Sequence, residues 1–129
     1  MRHSVVVAED EPHLVEALTF LMRRAGFAVN VATDGPSAID LVRRVHPDLV
    51  LLDIMLPGCD GFEVLARLRA DPATRNIRVV VLTAKGREQD NRRARELGAD
   101  DYITKPFDNS DVVARVSSLL APAAERCNR

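Results

Sequence analysis

Val79-Val80-Val81-Leu82-Thr83 runs through four apolar residues without a break and then turns polar. A strand with one wet face alternates apolar and polar residues. A continuous β-branched run instead suits a strand buried on both faces, as in a parallel sheet covered by helices on each side. Apolar runs recur upstream at residues 4–8, 28–32 and 49–52, and a short one follows around Tyr102 and Ile103. Between them the period changes. Leu14, Ala17, Leu18 and Leu21 are spaced i, i+3, i+4, i+7, and Ala38, Leu41, Val42 and Val45 repeat the spacing. Phe62, Leu65 and Leu68 mark a shorter helix over 61–70, and Val112, Val113, Val116, Leu119 and Leu120 form a last stripe. These are single faces of helices. Gly26, Gly98 and the His46-Pro47 pair punctuate helix ends. Strand and helix thus alternate five times, which predicts an α/β fold, a doubly wound (βα)5 unit with a five-stranded parallel sheet.

The chain of 129 residues is one domain's worth, with 47% hydrophobic and 29% charged residues. A formal net charge of -1 supplies no global field for nucleic acid. Cys59 and Cys127 lie far apart and in no metal-ligand spacing, so a reducing cytoplasm is the simplest compartment. The first eight residues are too short for a signal peptide, and no apolar stretch reaches a membrane-spanning length. The fourth helix, over 86–97, differs from the others. It is crowded with charge and offers only Ala94 and Leu97 as apolar anchors. Helices hold mainly by packing, so it should be weakly tethered.

In open α/β sheets, ligands bind beyond the carboxyl ends of the strands. Strand one ends in Glu9-Asp10-Glu11, strand three in Asp53, strand four in Thr83 and strand five in Thr104-Lys105-Pro106. Singly, each has a plain explanation: an acid before Pro12 caps a helix, an aspartate ends in a loop, a hydroxyl bonds to backbone, a lysine is solvated. Together they place acids, a hydroxyl and a lysine on one edge. Clustered carboxylates repel unless protonated or neutralised by a cation. An all-oxygen set without His or Cys favours a hard ion such as Mg2+ over zinc. A carboxylate nucleophile can form an aspartyl phosphate, with a metal and a lysine offsetting the charge. Strands are about 4.8 Å apart, so strand five is roughly 10 Å from strand three, a gap that a lysine spans. His3, His13 and His46 are scattered and read as structural. Asp34-Gly35 and Asp60-Gly61 read as turns and caps before helices two and three.

Five motifs in order carry a resemblance. They are Val7-Ala8-Glu9-Asp10-Glu11-Pro12, the stretch from Pro47 through Asp53 to Gly58 followed by Asp60-Gly61, Leu82-Thr83-Ala84, Gly98-Ala99-Asp100-Asp101-Tyr102, and Thr104-Lys105-Pro106-Phe107. Over residues 3–120 the chain resembles the receiver domain of bacterial two-component response regulators. The resemblance implies a flavodoxin-like sheet of order 2-1-3-4-5, a receiver domain over 1–121 and a short polar tail over 122–129. It implies that Asp53 is the phosphoacceptor, supplied by a phosphohistidine on a sensor histidine kinase or histidine phosphotransfer protein. Mg2+ would be held by Asp10, Asp53, the Met55 backbone carbonyl and Glu9, the last largely through water. Thr83 is similar to the switch hydroxyl and Tyr102 to the aromatic that turns inward with it. Lys105 matches the phosphate-binding lysine, with a cis bond to Pro106. The stretches around Asp101 and Arg115 resemble the subfamily that dimerises through helix four, strand five and helix five, with Asp101 and Arg115 as the candidate pair. The implied protein is a cytoplasmic signalling switch acting on a partner or output domain, not an enzyme with an external substrate, and the domain itself contacts neither nucleic acid nor membrane. It stands alone or forms part of a longer regulator.

Two other classes fit the same residues less well. A metal-dependent phosphohydrolase with a nucleophilic Asp needs a general acid near the nucleophile, and Met55, two residues past Asp53, cannot donate a proton. A receiver-like scaffold that no longer takes phosphate is opposed by the complete set of Glu9, Asp10, Asp53, Thr83 and Lys105.

Overall fold

The computed structural model describes residues 3–84 and 88–120. Cys127, the tail over 122–129 and the start of the fourth helix at Gly86 lie outside the described residues. Five strands, β1 (Ser4–Ala8), β2 (Ala28–Ala32), β3 (Leu49–Asp53), β4 (Arg78–Ala84) and β5 (Asp101–Lys105), alternate with five helices. The helices are α1 (Pro12–Arg24), α2 (Gly35–Val45), α3 (Gly61–Ala70), α4 (Glu88–Glu96) and α5 (Asn109–Leu120). The sheet is wholly parallel, in the order β2-β1-β3-β4-β5.

Every residue of central β3 is buried, as its apolar run requires. Successive side chains leave a strand on opposite faces, and two cores result. Val6, Val50, Leu52, Val79 and Val81 face α2, α3 and α4, where Val42, Leu65, Leu68 and Ala94 meet them. Val5, Val7, Leu49, Leu51, Val80 and Leu82 face α1 and α5, against Leu18, Met22, Val112 and Val116. Each fully buried Leu or Val contributes about 1.5–3 kcal/mol relative to an exposed one.

The helix starts follow the expected chemistry. Asp34 accepts from the Ser37 backbone N–H at 2.8 Å, and Asp60 accepts from that of Glu63 at 3.0 Å, each satisfying a donor that the first helical turn leaves open. At the end of α2, His46 adopts φ 48°, a left-handed C-cap.

Helix α4 departs from its expected anchoring. Ala94 is fully buried, but Leu97 is only partly so, and Asn91 is the other buried residue. Arginines supply part of the contact instead: the Arg93 guanidinium lies 4.4 Å from the Phe62 ring centroid and that of Arg95 lies 4.6 Å from the Tyr102 ring.

A second arginine contact ties the far end of the fold. Arg69, in the last turn of α3, donates through Nε to the Gly98 carbonyl at 2.9 Å and through Nη1 to those of Arg75 and Ile77 at 3.0 and 2.6 Å. Its Nη2 donates to Asp100 Oδ2 at 3.0 Å, and the same oxygen accepts from the Val79 N–H at 2.8 Å. One side chain therefore joins α3, the approach to β4 and the turn between α4 and β5. Arg69→Ala leaves these acceptors unmet and should destabilise the protein by about 2 kcal/mol. A urea midpoint equal to that of the parent would refute this role.

Candidate functional site

Parallel strands bring their carboxyl ends to one edge, and the sequence places its acids there. Glu9 and Asp10 follow β1, Asp53 ends β3 and Lys105 ends β5. Glu9 is fully buried and Asp53 is 3% exposed, whereas Asp10 faces solvent. Oxygens of the three carboxylates lie within 4.8 Å of one another.

Each buried carboxylate is held by named donors. Glu9 Oε2 accepts from the backbone N–H groups of Asp10 and Glu11 at 3.0 and 3.1 Å. Its Oε1 accepts from Lys105 Nζ at 2.8 Å, and the same Nζ donates to Asp53 Oδ1 at 3.1 Å. Asp53 Oδ1 also accepts from the Met55 N–H at 3.3 Å. Lysine thus spans from β5 past β4 to β3, as the strand spacing predicts.

The electrostatics follow from burial. Burial pushes the Glu9 carboxyl above its ordinary range; the Lys105 and Glu11 hydrogen bonds oppose that shift and the Asp53 charge adds to it. For Lys105, burial works to lower the ammonium pKa, but the hydrogen bonds and charges of Glu9 and Asp53 outweigh it, and the net shift is upward. Lys105 is therefore cationic at neutral pH.

The remaining residues singled out in the sequence fall around this cluster. Thr83 follows Leu82, the register partner of Asp53, and among the described residues its buried Oγ1 has no hydrogen-bond partner. Met55 lies in the bend after β3 with its side chain exposed. The Lys105–Pro106 bond is cis. Tyr102 pairs with Val81 on β4, away from the acids, with its ring against the α2–α4 core. Asp101 and Arg115 do pair, within this one chain: Arg115 Nη1 meets both Asp101 oxygens at 2.9 Å.

The sequence leaves Glu11 open between the acidic cluster and a helix cap, and it reads Gly61 only as part of a turn. Glu11 leaves the acidic cluster to cap α1, accepting from the Leu14 N–H at 2.9 Å. Gly61 does more than turn the chain. A Cβ there would lie 2.5 Å from the Asp53 carbonyl oxygen and 2.7 Å from Ile54 Cα, so α3 can begin directly against the Asp53 backbone only with glycine at that position. The one signal for it was the glycine itself, eight residues after the end of β3.

The sequence matches the response regulator receiver domain over residues 5–117. It is 42% identical over 120 residues to the phosphate regulon transcriptional regulatory protein PhoB of Escherichia coli, covering 93% of this chain and 52% of PhoB. The chain therefore spans about half the length of that curated relative. The receiver domain of sensor histidine kinase PA1611 from Pseudomonas aeruginosa, solved with a magnesium ion coordinated in its active site cleft, has a TM-score of 0.81 at 27% identity, covering 90% of this chain and 94% of that one. The phosphorylated cyanobacterial phytochrome response regulator RcpA has a TM-score of 0.80 at 29% identity, covering 92% of this chain and 91% of that one. No helix among the described residues is long and apolar enough to cross a membrane.

Removing the cation should expose what it offsets. In metal-free buffer at neutral pH, Lys105→Met leaves Glu9 and Asp53 as adjacent buried anions and should cost about 3 kcal/mol of stability. The sign of the pH dependence follows. Burial already raises the Glu9 carboxyl, and the variant loses the lysine that opposes that rise, so its folded state binds the extra proton. Stability is then recovered as pH falls through the raised Glu9 pKa. Urea melts at pH 7.5 and pH 4.5 should show the gap to the parent shrinking at the lower pH; a constant gap would remove Lys105 from this role.

Proposed function

The chain belongs to the response regulator receiver domain family, and on that premise we propose that it accepts a phosphoryl group from a phosphohistidine onto Asp53 in a Mg2+-dependent reaction. The observation that carries the reading is the cluster itself: three carboxylates within 4.8 Å of one another, with Lys105 bridging the two that are buried. The donor set is all oxygen and suits a hard cation. Asp10, Asp53 and the Met55 backbone carbonyl would hold Mg2+, with Glu9 acting largely through water, and the ion would supply positive charge to the phosphoryl oxygens.

The chain's own residues do the rest. An Asp53 carboxylate oxygen attacks phosphorus, the P–N bond of the donor breaks, and its imidazole leaves with the electron pair and takes up a proton from solvent. Lys105 already contacts an Asp53 oxygen and moves onto a phosphoryl oxygen as charge builds there. The buried Thr83 hydroxyl, without a partner among the described residues, donates to another. Its movement vacates space beside β5, and Tyr102 turns inward. The face formed by α4, β5 and α5 then changes for a partner or output domain. The kinase or histidine phosphotransfer protein that supplies the phosphoryl group is a protein partner; no external substrate is turned over. We place the protein in the cytoplasm, where such a donor and its ATP are available.

Acetyl phosphate with Mg2+ should add one phosphoryl group to the parent, seen by intact mass, and none to Asp53→Ala. Asp10→Ala should weaken Mg2+ binding severely. Phosphorylation of Asp53→Ala at the parent level would end the assignment. Thr83→Ala should still be phosphorylated yet lose most of the change in hydrogen exchange that beryllofluoride produces in residues 88–97 of the parent; an undiminished change would reject Thr83 as the relay.

Self-association is the second part of the proposal. Asp101 and Arg115 both lie on the α4, β5 and α5 face, and the Asp101–Arg115 pair can exchange between two copies. Sedimentation should show a heavier species with beryllofluoride than without. A monomer in both states at high protein concentration would overturn the dimer and leave the phosphoacceptor untouched.

A further inference from the structure

Tyr102 is the protein's only tyrosine, and its ring is covered by a cation from a helix that is otherwise poorly seated. Arg95 Cζ lies 4.6 Å from the ring centroid. The preceding residue, Ala94, is fully buried against the sheet, which fixes the Arg95 backbone while the side chain reaches over the aromatic face. Guanidinium groups stack well on such faces, being planar, weakly hydrated and always charged. Among the described residues the Arg95 guanidinium meets this ring and forms no ion pair.

The underside of α4 gives it little else. One helical turn before Arg95, Asn91 is buried and its carboxamide oxygen has no partner among the described residues. A buried acceptor left unmet opposes the arrangement that buries it. Helix α4 therefore rests in a position that its own polar group disfavours, and contacts such as Arg95 on Tyr102 help to keep it there.

We propose that Arg95 is a positioning residue that holds Tyr102 in its half-buried resting place and locks its movement to that of α4. The inference rests on the phosphoacceptor reading above, since it concerns the resting side of that switch. Loss of the Arg95 cation releases Tyr102 and shifts the unphosphorylated protein toward its activated arrangement. By linkage, whatever prefers the activated arrangement then binds more tightly. An exposed cation–π contact biases such a balance about two- to fivefold.

A single tyrosine makes the test direct. Fluorotyrosine incorporation gives one fluorine NMR signal, to be followed in the parent, Arg95→Met, Arg95→Gln and Arg95→Lys during beryllofluoride titration with Mg2+. Arg95→Met and Arg95→Gln should start displaced toward the position that the parent reaches with beryllofluoride, and should bind beryllofluoride about two- to fivefold more tightly. Arg95→Lys keeps a cation over the ring without the planar stack, and should fall between the parent and the uncharged variants. A purely structural role for Arg95 would give no rescue by lysine and no gain in affinity. Uncharged variants that keep the parent's starting signal and affinity overturn this inference while leaving Asp53 in place. A parent that binds no beryllofluoride overturns the phosphoacceptor reading and takes this inference with it.

Discussion

Two carboxylates, Glu9 and Asp53, lie almost wholly out of water at the same sheet edge, and the molecule is arranged around the need to neutralise them. Taking a charge into a low-dielectric site is expensive unless it is paired and hydrogen-bonded. Backbone N–H groups meet one Glu9 oxygen, and Lys105 meets the other together with Asp53. That solution exists only because β4 alone separates β3 from β5. Gly61 belongs to the same constraint from the other side. It lets α3 press against the Asp53 backbone and so fixes where the carboxylate stands. A pair buried at this level is weak support for stability; under the proposed function it is a site prepared for a cation and an incoming anion.

The central strands were legible because burial on both faces leaves a plain mark. Strands β1 and β2 begin and end where their apolar runs do. β4 extends further, to Arg78 and Ala84, and β5 reaches Lys105. There the register with neighbouring strands carries pairing beyond the apolar run, and hydrogen bonding continues after side-chain burial has ended. Residue types at strand ends likewise foretold the acidic cluster, since a parallel sheet brings all such ends together. What sequence left open was the division of labour among neighbours. Glu9, Asp10 and Glu11 are consecutive acids, yet one is buried under Lys105, one faces solvent and one caps α1. Local pattern cannot separate these fates, because each depends on a partner from another element.

Arginine was the larger gap. Charge along α4 reads as a solvated surface, and by that measure the helix has almost no anchor. In the fold, Arg93 and Arg95 lie on the rings of Phe62 and Tyr102, and Arg69 binds three carbonyls and a carboxylate across three segments. A guanidinium packs as a flat surface as well as carrying charge. No periodicity reports that, since the aromatic partner lies on a different helix or strand.

The consequence is an uneven distribution of firmness around one sheet. On the side of α1 and α5, Val5, Val7, Leu49, Leu51 and Leu82 are enclosed by aliphatic side chains, and displacement there would open cavities that cost several kcal/mol. At α4 the holding terms include cation–aromatic contacts of about 0.5–1 kcal/mol each, working against an unmet carboxamide oxygen in Asn91. Phosphorylation would replace the Asp53 carboxylate, of charge -1, by an acyl phosphate of roughly -1.5 to -2, at an edge where Lys105 is already shared between two acids. A perturbation of that size cannot rearrange the aliphatic side, but it matches the small terms that seat α4. Under the proposed chemistry the response is therefore channelled to α4 and Tyr102, because that is where the fold's resistance is lowest.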